Sequence, residues 1–449
     1  PSTLITSYLS IFYIYTVGLN PLLVSIGTAL GSIANAFCGP IFGYVSDKKR
    51  ATKLGKRRQF LLYGLPLLIV TLILVWLPPL CSELNAWNFQ VAIFLWIFVV
   101  TFYINYSLIR SPYLAMLPEQ SEVEENRVQI SSIQGIFNIV ATVLGVLLPM
   151  FLQSLLDKPA VNGKFHNTPN GQILLDTLPI VALVFGVIST IFTLITFFSV
   201  DESFLIEKER KKNIEKKGIK EVIKNIFKPL TDKDYLVFLI SVFAMNTGMR
   251  LIIRILAPYF EFILLFDGND FIFFALGLIP FAGLGFAVWS KKAKNKGLKE
   301  SFLKANGFMV LCLMSTIILV LINISIIRTF IALIIMGLAV YNLVPGYIFH
   351  FPMVSIYSDQ ASDNENTKSK SSGKYFGALL FIYNIANAIG DLIMGLILMG
   401  EMNGVPNSEN ALIIAVILPV AALLYFASVL VYRNARLKKE VEKSEKERK

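Results

Sequence analysis

Apolar residues in this chain fall in runs of about 20, separated by short polar stretches, and each run is long enough to cross a hydrocarbon core of roughly 30 Å. Twelve runs are expected, at about 1–17, 22–45, 59–80, 90–116, 128–154 and 176–200, then 235–258, 270–290, 302–324, 327–357, 374–399 and 410–432. A membrane β-barrel would instead show short segments of alternating hydrophobicity. The pattern therefore predicts an all-α polytopic membrane protein. Gly-Leu-Asn-Pro at 18–21 is expected to make the first turn, because Pro21 lacks an N–H and suits the opening turn of a helix. The first run follows directly on Pro1 without a basic n-region or a cleavage site, so it reads as a trimmed helix rather than a signal peptide.

Charge sharpens this picture. Only 16% of the 449 residues are charged, against about 25% in soluble domains, and mean hydropathy is +0.64. The net charge of +11 is distributed by loop, so it is not a nucleic-acid footprint. Lys and Arg crowd 46–58, 201–234, 291–300 and 433–449, whereas the alternate loops hold only Lys158 and Lys164. That asymmetry predicts that both termini lie in the cytoplasm. The expected organisation is a six-helix bundle at 1–200, a cytoplasmic central loop at 201–234, a second bundle at 235–432 and a charged tail at 433–449. The central loop mixes acids and bases at helical spacing, which fits a surface amphipathic helix and a solvated linker equally well. Cys38, Cys81 and Cys312 are scattered and the two histidines form no ligand or triad pattern, so neither a metal site, a cofactor nor an enzyme is expected. A monomer is expected.

The two halves repeat. Gly43, Gly55 and Phe60 return 242 positions later as Gly285, Gly297 and Phe302, Pro112 returns as Pro352 at an offset of 240, and Asn138 as Asn384 at 246. Ionisable groups inside runs carry the most information, since each costs about 2.5–3.5 kcal/mol at the membrane centre. Arg110 and His350 each stand two residues before a repeat-related proline, and both are expected either to line a central cavity or to snorkel to the cytoplasmic edge. An imidazole titrates near neutral pH, so His350 is a candidate for proton coupling or for a structural hydrogen bond. Ser131, Gln134, Asn138 and Thr142 make one polar helix face, and Asn384, Asn387 and Asp391 another. Asp391 either carries a proton or pairs with a base such as Arg250. Asn246, Arg250 and Arg254 share a face, from which the arginines would bind an anionic group, pair with Glu261 or Asp391, or reach the headgroups. Tyr106, Tyr113 and Tyr347 suit stacking on sugar rings. A polar stripe also fits plain helix–helix adhesion.

Between the second and third runs lies GYVSDKKRATKLGKRR, with Gly43, Asp47, Lys48, Gly55, Arg57 and Arg58 in order, and after the fourth comes RSPYLAMLPEQSEVEENRVQISS. Both segments resemble major facilitator transporters, in particular the glycoside–pentoside–hexuronide symporters (the melibiose-permease type) and the related proton-coupled sucrose carriers. The resemblance implies two pseudo-repeated six-helix bundles in the plasma membrane, with the bilayer and a small-molecule solute as partners, a substrate site between the bundles and sugar symport by alternating access. It also makes Gly43, Asp47, Lys48, Gly55, Arg57 and Arg58 a cytoplasmic gate. The sequence departs from the family at its cation site: the two helix 2 carboxylates fall on Asn35 and Gly39, and the helix 4 carboxylate on Arg110. An amide and a glycine give Na⁺ too little charge, so H⁺ is the expected coupling ion. The same resemblance leaves open an organic-anion or lysolipid carrier and a uniporter, and a non-transporting receptor of this fold is the remaining class.

Overall fold

The computed structural model describes residues 1–49, 54–80, 85–120, 137, 141, 145, 156, 165–200, 202, 227–266, 270–364, 372–399, 408–433 and 435, although side chains at some helix ends, Asp47 and Lys48 among them, are not described. Every regular element among them is helical. Nine of these helices are long and apolar enough to cross a membrane. The expected run at 59–80 is represented by a shorter apolar helix, Arg58–Leu74. The run at 128–154, with Gln134 and Asn138, lies outside the described residues except at positions 137, 141 and 145.

The chain forms two compact units, Pro1–Ile223 and Lys224–Lys449. The first holds α1 (Ser2–Ile11), continued by a π-helical turn at Phe12–Thr16, then α2 (Pro21–Lys48), α3 (Arg58–Leu74), α4 (Phe89–Gln120) and α5 (Pro169–Ser199). The second holds α6 (Lys233–Phe262), α7 (Asp270–Lys296), α8 (Leu298–Ser315) with a 3₁₀ extension at Thr316–Leu321, α9 (Ser325–Ile348), α10 (His350–Asn364), α11 (Ser372–Leu398) and α12 (Ser408–Arg433).

Polar caps set several helix starts. Asn20 Oδ1 accepts the Leu22 N–H at 2.9 Å directly before Pro21, as the Gly-Leu-Asn-Pro turn predicts. Thr168 Oγ1 accepts from Gly171 N before Pro169, and Asp232 Oδ1 accepts from Asp234 N and Tyr235 N.

Helix packing reproduces the repeat. In the first unit α2 packs on α4, and α3 packs on both α4 and α5; in the second, α7 packs on α9, and α8 on α9 and α12. The repeat-related Gly55 and Gly297 both adopt positive φ, 89° and 86°, at the turn before α3 and α8. Each is followed by a base that reaches the last described helix of its own unit. Arg58 Nη1 donates to Phe197 O of α5 at 3.0 Å, and Lys299 Nζ donates to Arg433 O of α12 at 3.1 Å.

Candidate functional site

The second unit concentrates its buried polar groups where α6 meets α11. Asn246, Arg250 and Arg254 recur every four residues and so occupy one face of α6; Asn387 and Asp391 do the same on α11. The helices come close because residue 390 is glycine, where an added Cβ would lie 2.7 Å from Arg250 Cβ. Asp391 is buried and receives three hydrogen bonds, from Arg250 Nε and Nη2, both at 2.7 Å, and from Arg254 Nε at 2.8 Å. The Arg250 contact is bidentate, the stronger geometry for guanidinium and carboxylate. One turn back, Asn246 Nδ2 donates to Asn387 Oδ1 at 3.2 Å and Tyr383 O at 3.0 Å. Of the partners weighed for the arginines, Asp391 holds both. Arg254 is buried beside it.

His350 is fully buried at the start of α10. Its Nδ1 shares a hydrogen bond with the Tyr383 hydroxyl, and its ring lies edge-on to Phe302 and Phe238, with centroids 5.3 and 6.1 Å away. Among the described residues no partner meets its Nε2. Tyr383 thus joins the two groups, through its hydroxyl to His350 and its carbonyl to Asn246. Asn384, one residue on, donates to Leu380 O in its own helix at 2.9 Å.

The first unit carries a smaller polar face on α4. Arg110 is exposed, unlike its repeat counterpart His350. Its guanidinium carbon stands 5.5 Å from the Tyr106 ring centroid. Ser107 Oγ donates to Asn35 Oδ1 at 2.6 Å, so the amide that stands in the family's cation-site position already holds a neighbouring helix. At Gly39 an added Cβ would touch only Ser111 Oγ, at 3.7 Å.

Around the loop between α2 and α3, Gly43 has open space where a Cβ would be. The sequence reading missed Glu202. This buried residue follows α5 and accepts the backbone N–H groups of Lys56 at 2.5 Å, Arg57 at 3.0 Å and Arg58 at 3.5 Å. Its Oε2 also lies 3.9 Å from Arg58 Nε. An added Cβ at Gly55 would fall 2.2 Å from that oxygen. Arg57 is buried, and Arg58 lies with its guanidinium carbon 5.3 Å from the Phe197 ring centroid. The only sequence signal for Glu202 was an acid just past an apolar run.

A family model described as MFS/sugar transport protein matches residues 2–439. Two curated relatives align over shorter stretches. Major facilitator superfamily domain-containing protein 12 of Mus musculus is 23% identical over 115 residues, 25% of this chain and 24% of that protein. The uncharacterized symporter sll1374 of Synechocystis sp. is 26% identical over 161 residues, 35% of this chain and 29% of that protein. The chain thus spans under a third of either relative's length. Among solved structures, a point mutant of the nucleoside transporter NupG superposes with TM-score 0.59 at 14% identity, covering 95% of this chain and 96% of that one. The xylose transporter XylE from E. coli, in an inward open conformation, gives 0.60 at 15% identity over 94% and 91%. At such identities the likeness is one of fold.

Proposed function

From a chain that belongs to the MFS/sugar transport protein family, and is therefore a multi-pass membrane transporter and not an enzyme, we infer a secondary carrier that moves a sugar or glycoside by alternating access, coupled to protons. The observation that carries the coupling is the buried cluster of Arg250, Arg254 and Asp391. Adding a proton to Asp391 removes the charge that holds two guanidiniums inside a helical unit. A buried base stripped of its acid costs several kcal/mol, on the order of 3–5, so the helices carrying these residues must rearrange when the proton arrives. Proton binding and conformational change become one event. The solute is assigned to Tyr106, Arg110, Gln134, Asn138, Asn246, Asn384 and Asn387, with His350 and Tyr383 linking solute and proton. The loop from Gly43 through Asp47, Lys48 and Gly55 to Arg57 and Arg58 is the cytoplasmic gate, both termini lie in the cytoplasm, and the carrier works as a monomer in the plasma membrane. Protons suit this chain better than Na⁺, because Asn35 and Gly39 offer no carboxylate and the Asn35 oxygen accepts from Ser107.

Proteoliposomes loaded with a pH dye test the reading across mono- and disaccharides, glycosides and sugar acids. Internal acidification driven by one of these solutes, and lost in Asp391→Asn, is expected. Solute exchange without proton movement would replace the symporter with a uniporter or exchanger.

A further inference from the structure

Between positions 291 and 304 the second unit carries six lysines against one acid, Glu300. Three of the lysines are engaged within the protein. Lys292 Nζ stands 4.3 Å from the centroid of the Trp289 ring. Lys299 Nζ donates to the carbonyls of Arg433 and Ala435 at the end of α12. Lys304 pairs with Glu300, one turn back on α8. Lys291, Lys294 and Lys296 are exposed, and among the described residues no acid pairs with them.

Helical geometry divides those three. Counted around α7 from Gly283 at about 100° per residue, the exposed Gly283, Ala287 and Leu284 stand at about 0°, 40° and 100°. Lys294 and Lys291 stand at about 20° and 80°, inside the same arc, whereas Lys296 stands at about 220°. Buried Phe274, Gly285 and Trp289 occupy about 180–240°, so Lys296 leaves the helix on its protein-facing side. Exposed Leu276 and Phe273, at about 20° and 80°, carry the apolar arc back along the span. Lys291 and Lys294 thus end a membrane-facing stripe, one and two turns beyond Ala287. Gly283 has open space where a Cβ would be, and with Ala287 it leaves a shallow trough, bordered by Ile279 and Leu284, on the line that leads to Lys294. On α8 a similar line of exposed Phe308 and Leu311 ends at Lys304, but Glu300 already stands beside that cation.

A lysine at the end of a spanning helix lays its stem along apolar surface and extends its ammonium to the headgroups. Two ammoniums three residues apart on one helix face are neighbours, and each meets a phosphate as a point charge. A zwitterionic lipid would bring a cation of its own to the same place, whereas an acidic one brings only the anion. We propose that this face of α7 binds an acidic phospholipid, with its phosphate on Lys291 and Lys294 and an acyl chain along Gly283 and Ala287. The site requires that α7 span a membrane and is independent of which solute the carrier moves.

Native mass spectrometry of the detergent-purified full chain, titrated with dioleoyl phosphatidylglycerol or dioleoyl phosphatidylcholine, counts bound lipid directly. The first phosphatidylglycerol is expected to bind at concentrations where phosphatidylcholine does not. Lys291→Gln and Lys294→Gln should each weaken that first step by about fivefold, the effect of one basic residue at an acidic lipid surface. Lys296→Gln, which removes the same charge from the opposite face, should leave it unchanged, and Lys291→Arg should preserve it. Gly283→Leu fills the trough while keeping both lysines and should also weaken the step; melting curves without added lipid show that each variant is folded. Equal losses in the three glutamine variants would mean diffuse surface charge and would overturn the site. Equal retention of the two lipids would overturn it too. So would displacement of phosphatidylglycerol by an equal concentration of glycerol 3-phosphate, which carries the phosphate without the chains.

Discussion

At the scale of single residues, the chemistry of the second unit turns on Asp391. Its side chain is fully buried, and those of Arg250 and Arg254 nearly so. Removing the acid therefore leaves two cations without it, a loss on the order of 3–5 kcal/mol. Asp391→Ala is expected to lower the melting temperature of the detergent-purified protein well beyond Arg254→Met, which takes away one donor and leaves the bidentate Arg250 pair. Replacing all three by Leu or Met of similar volume should recover most of the stability and none of the coupling, because apolar packing substitutes for a buried ion cluster in stability alone. Equal melting temperatures for Asp391→Ala and wild type would show that the cluster is not held as described. The sequence made these groups candidates, since helical spacing puts 246, 250 and 254 on one face and 387 and 391 on another. It left the choice among headgroup, Glu261 and Asp391 open, because the partner sits 137 positions from Arg254 and only the close approach at Gly390 selects it.

At the scale of elements, the start of α3 is held from outside its own sequence. Glu202 accepts backbone N–H groups at Lys56, Arg57 and Arg58, where a helix has donors without intrahelical partners and a favourable dipole for an anion. Glu202→Ala should open that end by about 1 kcal/mol, the usual worth of a cap, read as roughly several-fold faster amide exchange at Lys56 and Arg57 with α4 unaffected. Unchanged exchange there would count against the cap. Gly55 belongs to the same turn, and its positive φ together with the 2.2 Å approach to Glu202 explains why no side chain fits. Element starts such as Asn20-Pro21 were legible because a cap acts on its own neighbours. Glu202 was not, since its partners lie 144 to 146 positions away. The repeat did signal the paired turns: Gly55 and Gly297 take the same backbone conformation, and the bases after them reach the last described helix of their own unit through different residues, Arg58 and Lys299. The aromatic shell of His350 comes from α6, α8 and α11, and no periodicity within one helix announces it.

At the scale of the whole molecule, each unit carries its own buried core, from Leu4 through Phe102 to Leu178 in the first and from Tyr235 through Phe302 to Tyr432 in the second. Among the described residues each also ties one helix to the last described helix of its own unit, α3 to α5 and α8 to α12. A carrier of two such bodies needs its connecting segment to keep them together and not to shape either one. Severing the chain between 203 and 226 and expressing the halves together removes an effective concentration on the order of mM. The yield of assembled carrier should fall for that reason. Turnover per assembled pair should stay within about twofold of the intact chain, since the cut spares the Arg250, Arg254 and Asp391 cluster, the contact of Tyr106 with Arg110 and the Glu202 cap. Halves that co-purify without moving solute would make the segment a working part of the transport cycle, and a severed first half that no longer protects Lys56 would place the cut too close to Glu202. If the pair transports, the working parts are the two helical bodies, and the repeat of Gly55 in Gly297 marks two copies of one construction that have diverged at Arg110 and His350.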